Sequence, residues 1–243
     1  MRTLKLSLFA SALLLGSLTT VTAQTAEDIM NKHIAAVGGV DNWKKITSMK
    51  TAGTMSIQGN EVKVTNTMVQ NKGMRMDMDI TMGDQTINNY FILTTTEGWQ
   101  YFPAMGQTKA EALPADAVKQ SQDQLNLIDE VVKHNMAGSK ATYVGKEKLD
   151  GKDCHKLTVT DKDGDVATMY FDATSGFLVK ESMMVDMQGQ KVESATSFNN
   201  YKKLAEGISV PMFKGNPAQG EMTLTSVEVN KPIDQSIFKV SGN

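Results

Sequence analysis

A single cysteine, Cys154, in a chain of 243 residues excludes an internal disulfide framework. Arginine is nearly as scarce: once Arg2 is set aside with the leader described below, Arg75 is the only one, so bidentate clamps on phosphate or carboxylate are not a repeated device. No apolar run after the first 18 residues is long enough for a membrane helix. Charge is not in excess either. Without Arg2 and Lys5, 23 basic side chains face 27 acidic ones, a net charge near −4 that excludes nucleic acid as a natural partner. Nothing reads as a linker, and about 220 residues are enough for one sizeable core. The expectation is one domain over residues 24–243, acting as a monomer.

The first 23 residues read as a secretory signal. Arg2 and Lys5 form the positive end, Leu6 to Leu18 is an apolar run of 13 residues, and Val21-Thr22-Ala23 supplies small residues before a cleavage site. That run is too short to span a bilayer comfortably, and no cysteine follows it to carry lipid. The mature protein is therefore expected to be exported, with neither a transmembrane helix nor a lipid anchor.

Two sequence periods divide the remainder. Thr25-Ala26-Glu27-Asp28 has capping-box spacing, and Ile29, Met30, His33, Ile34 and Val37 share one helical face before Gly38-Gly39, which predicts a helix over 25–38. His33 lies on the apolar stripe and reads as a core residue. From Thr47 the period becomes two, with turn signals such as Gly83-Asp84, Asp150-Gly151 and Ser175-Gly176 mostly about a dozen residues apart. Strands are predicted near 47–58, 61–71, 73–82, 85–95, 98–103, 140–149, 152–161, 165–173, 176–187, 190–203 and 220–229. Residues 207–211 form an edge piece, because Pro211 removes a ladder donor. Between 113 and 137 the meander is interrupted by a helical insertion with Val118, Leu125, Ile128 and Val132 on its apolar side. The fold class is α+β, mainly antiparallel β. A twisted sheet of about eleven strands must curl, and the helices would cover its concave face.

The segment Gly73–Met82 places Met74, Met76, Met78, Ile80 and Met82 on one strand face, with charged or polar residues between them. Methionine is unbranched and polarizable, so a row of it makes a wall that adapts to guests of varying shape. Alternation on the other strands adds Met55, Ile57, Val62, Val64, Met68, Met183, Val185 and Met187 to the same candidate wall, with Val118, Leu125, Ile128 and Val132 as its lid.

Several of these segments resemble a known family. The opening helix with Gly38-Gly39 and Trp43-Lys44-Lys45-Ile46, the stretch Thr95–Pro103, and the closing pieces Glu206–Pro211 and Asn230–Phe238 are similar to the outer-membrane lipoprotein-sorting proteins of the LolA/LolB-like periplasmic carrier superfamily. The resemblance implies a half-open β-barrel under a helical lid, a periplasmic location, acyl chains of lipoproteins or lipids as cargo, and inner- and outer-membrane transfer machinery as partners. No cofactor is expected. The best-known carriers latch the lid with an arginine near the second and third strands. Arg75 lies in that region, but alternation places it opposite the Met row.

Three other readings compete. Met74, Met76 and Met78, about 7 Å apart along one face, could gather thioethers around Cu(I), although no histidine cluster stands beside them. An enzyme finds little support: Cys154 and His155 are strand neighbours and point to opposite faces, and Asp161, Asp163 and Asp165 around Gly164 lack the glutamate that closes a calcium loop. The barrel could also be a fixed interaction module filled by its own side chains.

Overall fold

The computed structural model describes residues 25–240 apart from 58, 59, 188 and 219, with only the backbone described at Ile57, Asn60, Met82, Asp186 and Met187. The expected leader lies outside the described residues. The first helix, α1, spans Ala26–Ala36. Its capping box is complete: the Asp28 N–H donates to the Thr25 hydroxyl and the Thr25 N–H donates to the Asp28 carboxylate. Gly38 and Gly39 then turn the chain at φ +107° and +83° into α2, Val40–Trp43. The Trp43 indole N–H donates to the Val37 carbonyl at 3.1 Å and fixes that turn.

Thirteen strands follow, all antiparallel and in one open sheet. They are β1 Ser48–Ile57, β2 Asn60–Val69, β3 Gly73–Met82, β4 Gln85–Thr94, β5 Gly98–Tyr101, β6 Glu111–Ala112, β7 Lys140–Leu149, β8 Lys152–Thr160, β9 Val166–Asp172, β10 Leu178–Met187, β11 Gln190–Lys203, β12 Ser209–Asn216 and β13 Gly220–Val229. The spatial order is β6-β5-β4-β3-β2-β1-β13-β12-β11-β10-β9-β8-β7. The chain thus builds outward from β1 to one edge, reappears at the opposite edge, and returns until β13 pairs with β1.

The count of thirteen corrects the expected eleven. Strand β6 has two residues, too few to show any period, and exists through the pairing of Trp99 with Ala112 and Gln100 with Glu111. Strand β12 is an interior strand despite Pro211. Its ladder with β13 covers only Phe213–Asn216, and upstream the Ser209 N–H donates to the Val37 carbonyl of the α1–α2 turn. Pro211 therefore occupies a stretch where β13 is not a partner, a local edge inside the sheet.

Because β6 and β7 are the two free edges and are consecutive in sequence, the chain between them must traverse the molecule. It does so across the concave face as α3 (Ala115–Gln120), a 3₁₀ turn (Gln122–Leu125) and α4 (Glu130–Ala137). Val118 and Leu125 pack against Met74 and Leu93 in one small cluster. Leu127, Val131 and Val132 join α1 and the inner residues Leu157, Val159, Met169 and Phe171 of β8 and β9 in the main core. Helical side chains thus meet strands from both halves of the open sheet, an arrangement consistent with a half-open barrel. On the opposite face a C-terminal 3₁₀ turn, Gln235–Phe238, sets the Phe238 ring 3.0 Å from where a Cβ on Gly73 would stand.

Gly38 combines its positive φ with a site where a Cβ would collide with the Gly207 carbonyl oxygen. Replacing Gly38 by Ala should lower stability by about 2 kcal/mol or more. Gly83→Asn, at φ +61° in open space, should be close to neutral. Urea unfolding of both variants checks the contrast.

Candidate ligand-binding site

Between the two core clusters lies a cavity of about 330 Å³, at the small end of the range for ligand sites. Met49 and Thr51 of β1, Val64, Asn66 and Met68 of β2 and Met76 of β3 form one wall. Leu178, Phe198, Tyr201, Val210, Pro211, Lys214, Met222, Leu224 and Val227, from β10 to β13, form the other. Trp43 and residues 126–130 make the roof. The register explains the convergence. Met49–Met68–Met74–Leu93 is one cross-strand row beneath the crossover, Thr51–Asn66–Met76–Phe91 the next, and the row after those includes Val64 and Met78.

Of the residues singled out in the sequence, Val64, Met68, Met76 and Ile128 border this cavity. Met74 is 5% exposed, enclosed by Leu93, Val118 and Leu125, so Val118 and Leu125 close one end of the space rather than line it. Val132 is fully buried in the main core. Met55, Val62, Met78 and Ile80 share the inner face of their strands nearer the hairpin ends and do not border the cavity; Met55 pairs with Val62, and Val62 with Ile80. Met183 is 42% exposed and Val185 half-buried on β10, away from the cavity. The side chains of Ile57, Met82 and Met187 lie outside the described residues. Enclosure of Met74 in apolar packing leaves no observation in favour of a three-methionine copper site.

Several lining residues carried no periodic signal. Trp43, Asn66, Phe198, Tyr201, Lys214 and Met222 come together only because β11, β12 and β13 fold back beside β1. A bulge between Ala52 and Gly53, opposite Leu224, also changes the face that β13 presents along its length. The Tyr201 hydroxyl donates to the Leu178 carbonyl at 2.9 Å, and its ring stacks on Phe177 at 4.1 Å. Burial, reinforced by the charge of Asp129, pushes the Tyr201 phenol far up, so it remains a neutral donor.

The roof is held by a buried clamp. His33 Nδ1 lies 3.0 Å from the Leu178 N–H and 3.1 Å from the Gly176 carbonyl, and Nε2 lies 3.2 Å from Asp129. Nδ1 accepts from the Leu178 N–H, and Nε2–H donates to Asp129. Asp129 also accepts the N–H groups of Val131 and Val132 as the cap of α4. The His33–Asp129 pair thus joins α1, β10 and the crossover. Further bonds tie the crossover to the other half: Leu127 N–H donates to Gln70, Asn71 N–H to the Leu125 carbonyl, and Gln122 to the Thr94 carbonyl.

A larger cleft, about 580 Å³, lies on the convex face between β1–β3 and the C-terminal segment. Its walls are charged. Arg75 donates to Asp77 at 2.8 to 3.0 Å and to the Ile237 carbonyl at 3.2 Å, and its guanidinium sits 4.6 Å from the Tyr90 ring centre. Arg75 therefore straps the C-terminus to the outer face and does not touch the crossover. The concave cavity, mostly apolar and roofed, has the better character for an apolar guest.

No family model matches the chain, and no curated protein does. Solved structures do. A domain from Vibrio parahaemolyticus described as an outer membrane lipoprotein-sorting protein aligns with TM-score 0.52 and 15% identity over 87% of this chain and 94% of its own. A LolA superfamily protein from Nitrosomonas europaea aligns with TM-score 0.51 and 11% identity over 89% of this chain and 98% of its own. At such identities the likeness is one of fold: this chain is folded like the LolA superfamily and the lipoprotein-sorting domain. No helix among the described residues is long and apolar enough to cross a membrane.

Glu181, in β10 near the α4 groups Glu130, Lys133 and His134, has one carboxyl oxygen buried without a hydrogen bond. Burial, and then the charge of Glu130, push its pKa from 4.5 up to about 7. The folded protein therefore retains a proton that the unfolded chain has lost, and stability falls as pH rises from about 4.5 to 7. Glu181→Gln should stabilise the protein by about 2 kcal/mol at pH 8 and leave it nearly unchanged at pH 4.5. Denaturant melts of both proteins at the two pH values test the sign.

Proposed function

We propose that the protein is an exported, periplasmic carrier that shelters an acyl chain of a lipoprotein or lipid in the roofed cavity and delivers it toward the outer membrane. The observation that carries this reading is the apolar cavity itself, enclosed between the methionine-bearing inner face and the crossover. Methionine side chains at 49, 68, 76 and 222 supply a surface that can repack around an irregular guest. Burial is worth about 0.8 kcal/mol per methylene, so a chain of about 14 carbons gains on the order of 10 kcal/mol relative to water, before ordering costs. A membrane offers similar relief, so exchange needs a donor or acceptor that favours an opened crossover. The fold shared with a lipoprotein-sorting domain supports that context. No group of catalytic side chains enters the proposal.

The test is uptake of N-phenyl-1-naphthylamine, an uncharged apolar fluorophore, together with native mass spectrometry of the purified protein. Wild-type protein should bind the dye or retain lipid. Met76→Asp should weaken dye binding more than tenfold, because it places a charge in the apolar wall, with an unchanged far-UV spectrum. Wild-type protein that neither binds the dye nor retains lipid would refute the carrier.

A further inference from the structure

The cavity wall contains a feature that an acyl chain alone does not need. Lys214 is the only basic residue among those lining it. On β12 it pairs with Met222 on one side and Phe198 on the other, and its ammonium nitrogen lies 6.0 Å from the Phe198 ring centre. Among the described residues it makes no ion pair and no hydrogen bond. The roof acids are already engaged: Asp129 with His33 and the α4 N-terminus, Glu130 with Lys133 at 2.9 Å and His134 at 3.3 Å. Lys214 is accessible to water, but protein walls surround it. Burial pushes its pKa down, against the attraction of Asp129, Glu130 and Glu181. An ammonium without an ion pair beside an apolar cavity offers a charge-assisted hydrogen bond to a ligand that brings the opposite charge.

We propose that the cargo is an amphiphile with one acyl chain and a single negative charge, a fatty carboxylate, whose head pairs with Lys214 while its chain runs toward the roof. This rests on the carrier reading and narrows its cargo. Position, size and charge agree. Lys214 borders the cavity from the Met222–Met55–Val62 row, whose Met55 and Val62 lie outside it, so its ammonium stands at one margin of the space. A cavity of about 330 Å³, at the small end of the range for ligand sites, suits one chain better than two. A single ammonium balances a carboxylate but only half of a phosphate dianion.

The experiment titrates the protein at pH 7 with 11-(dansylamino)undecanoic acid, its methyl ester and dodecyl phosphate as competitor. Wild-type protein should prefer the acid to the ester by about tenfold or more. Lys214→Met should bind acid and ester alike, and Lys214→Arg should keep the preference. Equal affinity of wild-type protein for acid and ester, or tighter binding of the phosphate, overturns the fatty carboxylate and leaves the carrier standing. Retained preference in Lys214→Met overturns the role of Lys214. Binding of neither dansyl probe overturns this proposal, and failure of N-phenyl-1-naphthylamine as well removes the carrier with it.

Discussion

The position of two consecutive strands at opposite edges of one sheet governs the architecture. A β6–β7 hairpin is impossible when twelve ladders separate the two strands, so residues 113–139 have to cross from edge to edge. The convex side holds the C-terminal segment, and the apolar side chains of the inner faces need cover, so the crossover runs through the concavity. The roof of the cavity is thus a consequence of connectivity.

Cover is incomplete, and that is why a cavity exists. The crossover buries its side chains in two separate places, Val118 and Leu125 against β3 and β4, and Leu127, Val131 and Val132 with α1 against β8 and β9. Its middle, residues 126–130, bridges the gap and is fixed by polar bonds: Gln70 to Asn126 and Leu127, and His33 to Asp129. Directional bonds hold a roof at a set height without filling the space below it, which apolar packing alone would tend to collapse.

The two faces of β3 illustrate a division of labour in one strand. Met74 and Met76 serve the inner packing and the cavity wall, while Arg75 and Asp77 between them hold the C-terminal segment outside. Strand alternation makes these tasks independent. The arginine expected from alternation to stand opposite the Met row does so, and its partner is the Ile237 carbonyl.

Local signals were legible wherever the physics is local. The capping box at Thr25, the helix-ending glycines, the period-two segments and their turns, and the helical insertion all follow from bonds or faces set within a few residues. Relations made between distant segments were not. Pro211 on an interior strand, the two-residue β6 and the clamp of His33 on Asp129 depend on which strand lies beside which. The same holds for Lys214 in a mostly apolar wall, since a lone lysine in a strand does not reveal that β11 and β13 set it beside a cavity. By itself, the sequence determined most of the helices and strands, the methionine-rich inner face of β3 and the need for cover. Only the tertiary structure decided which methionines border open space, because an enclosed volume is defined by all its walls at once and no single strand contains that information.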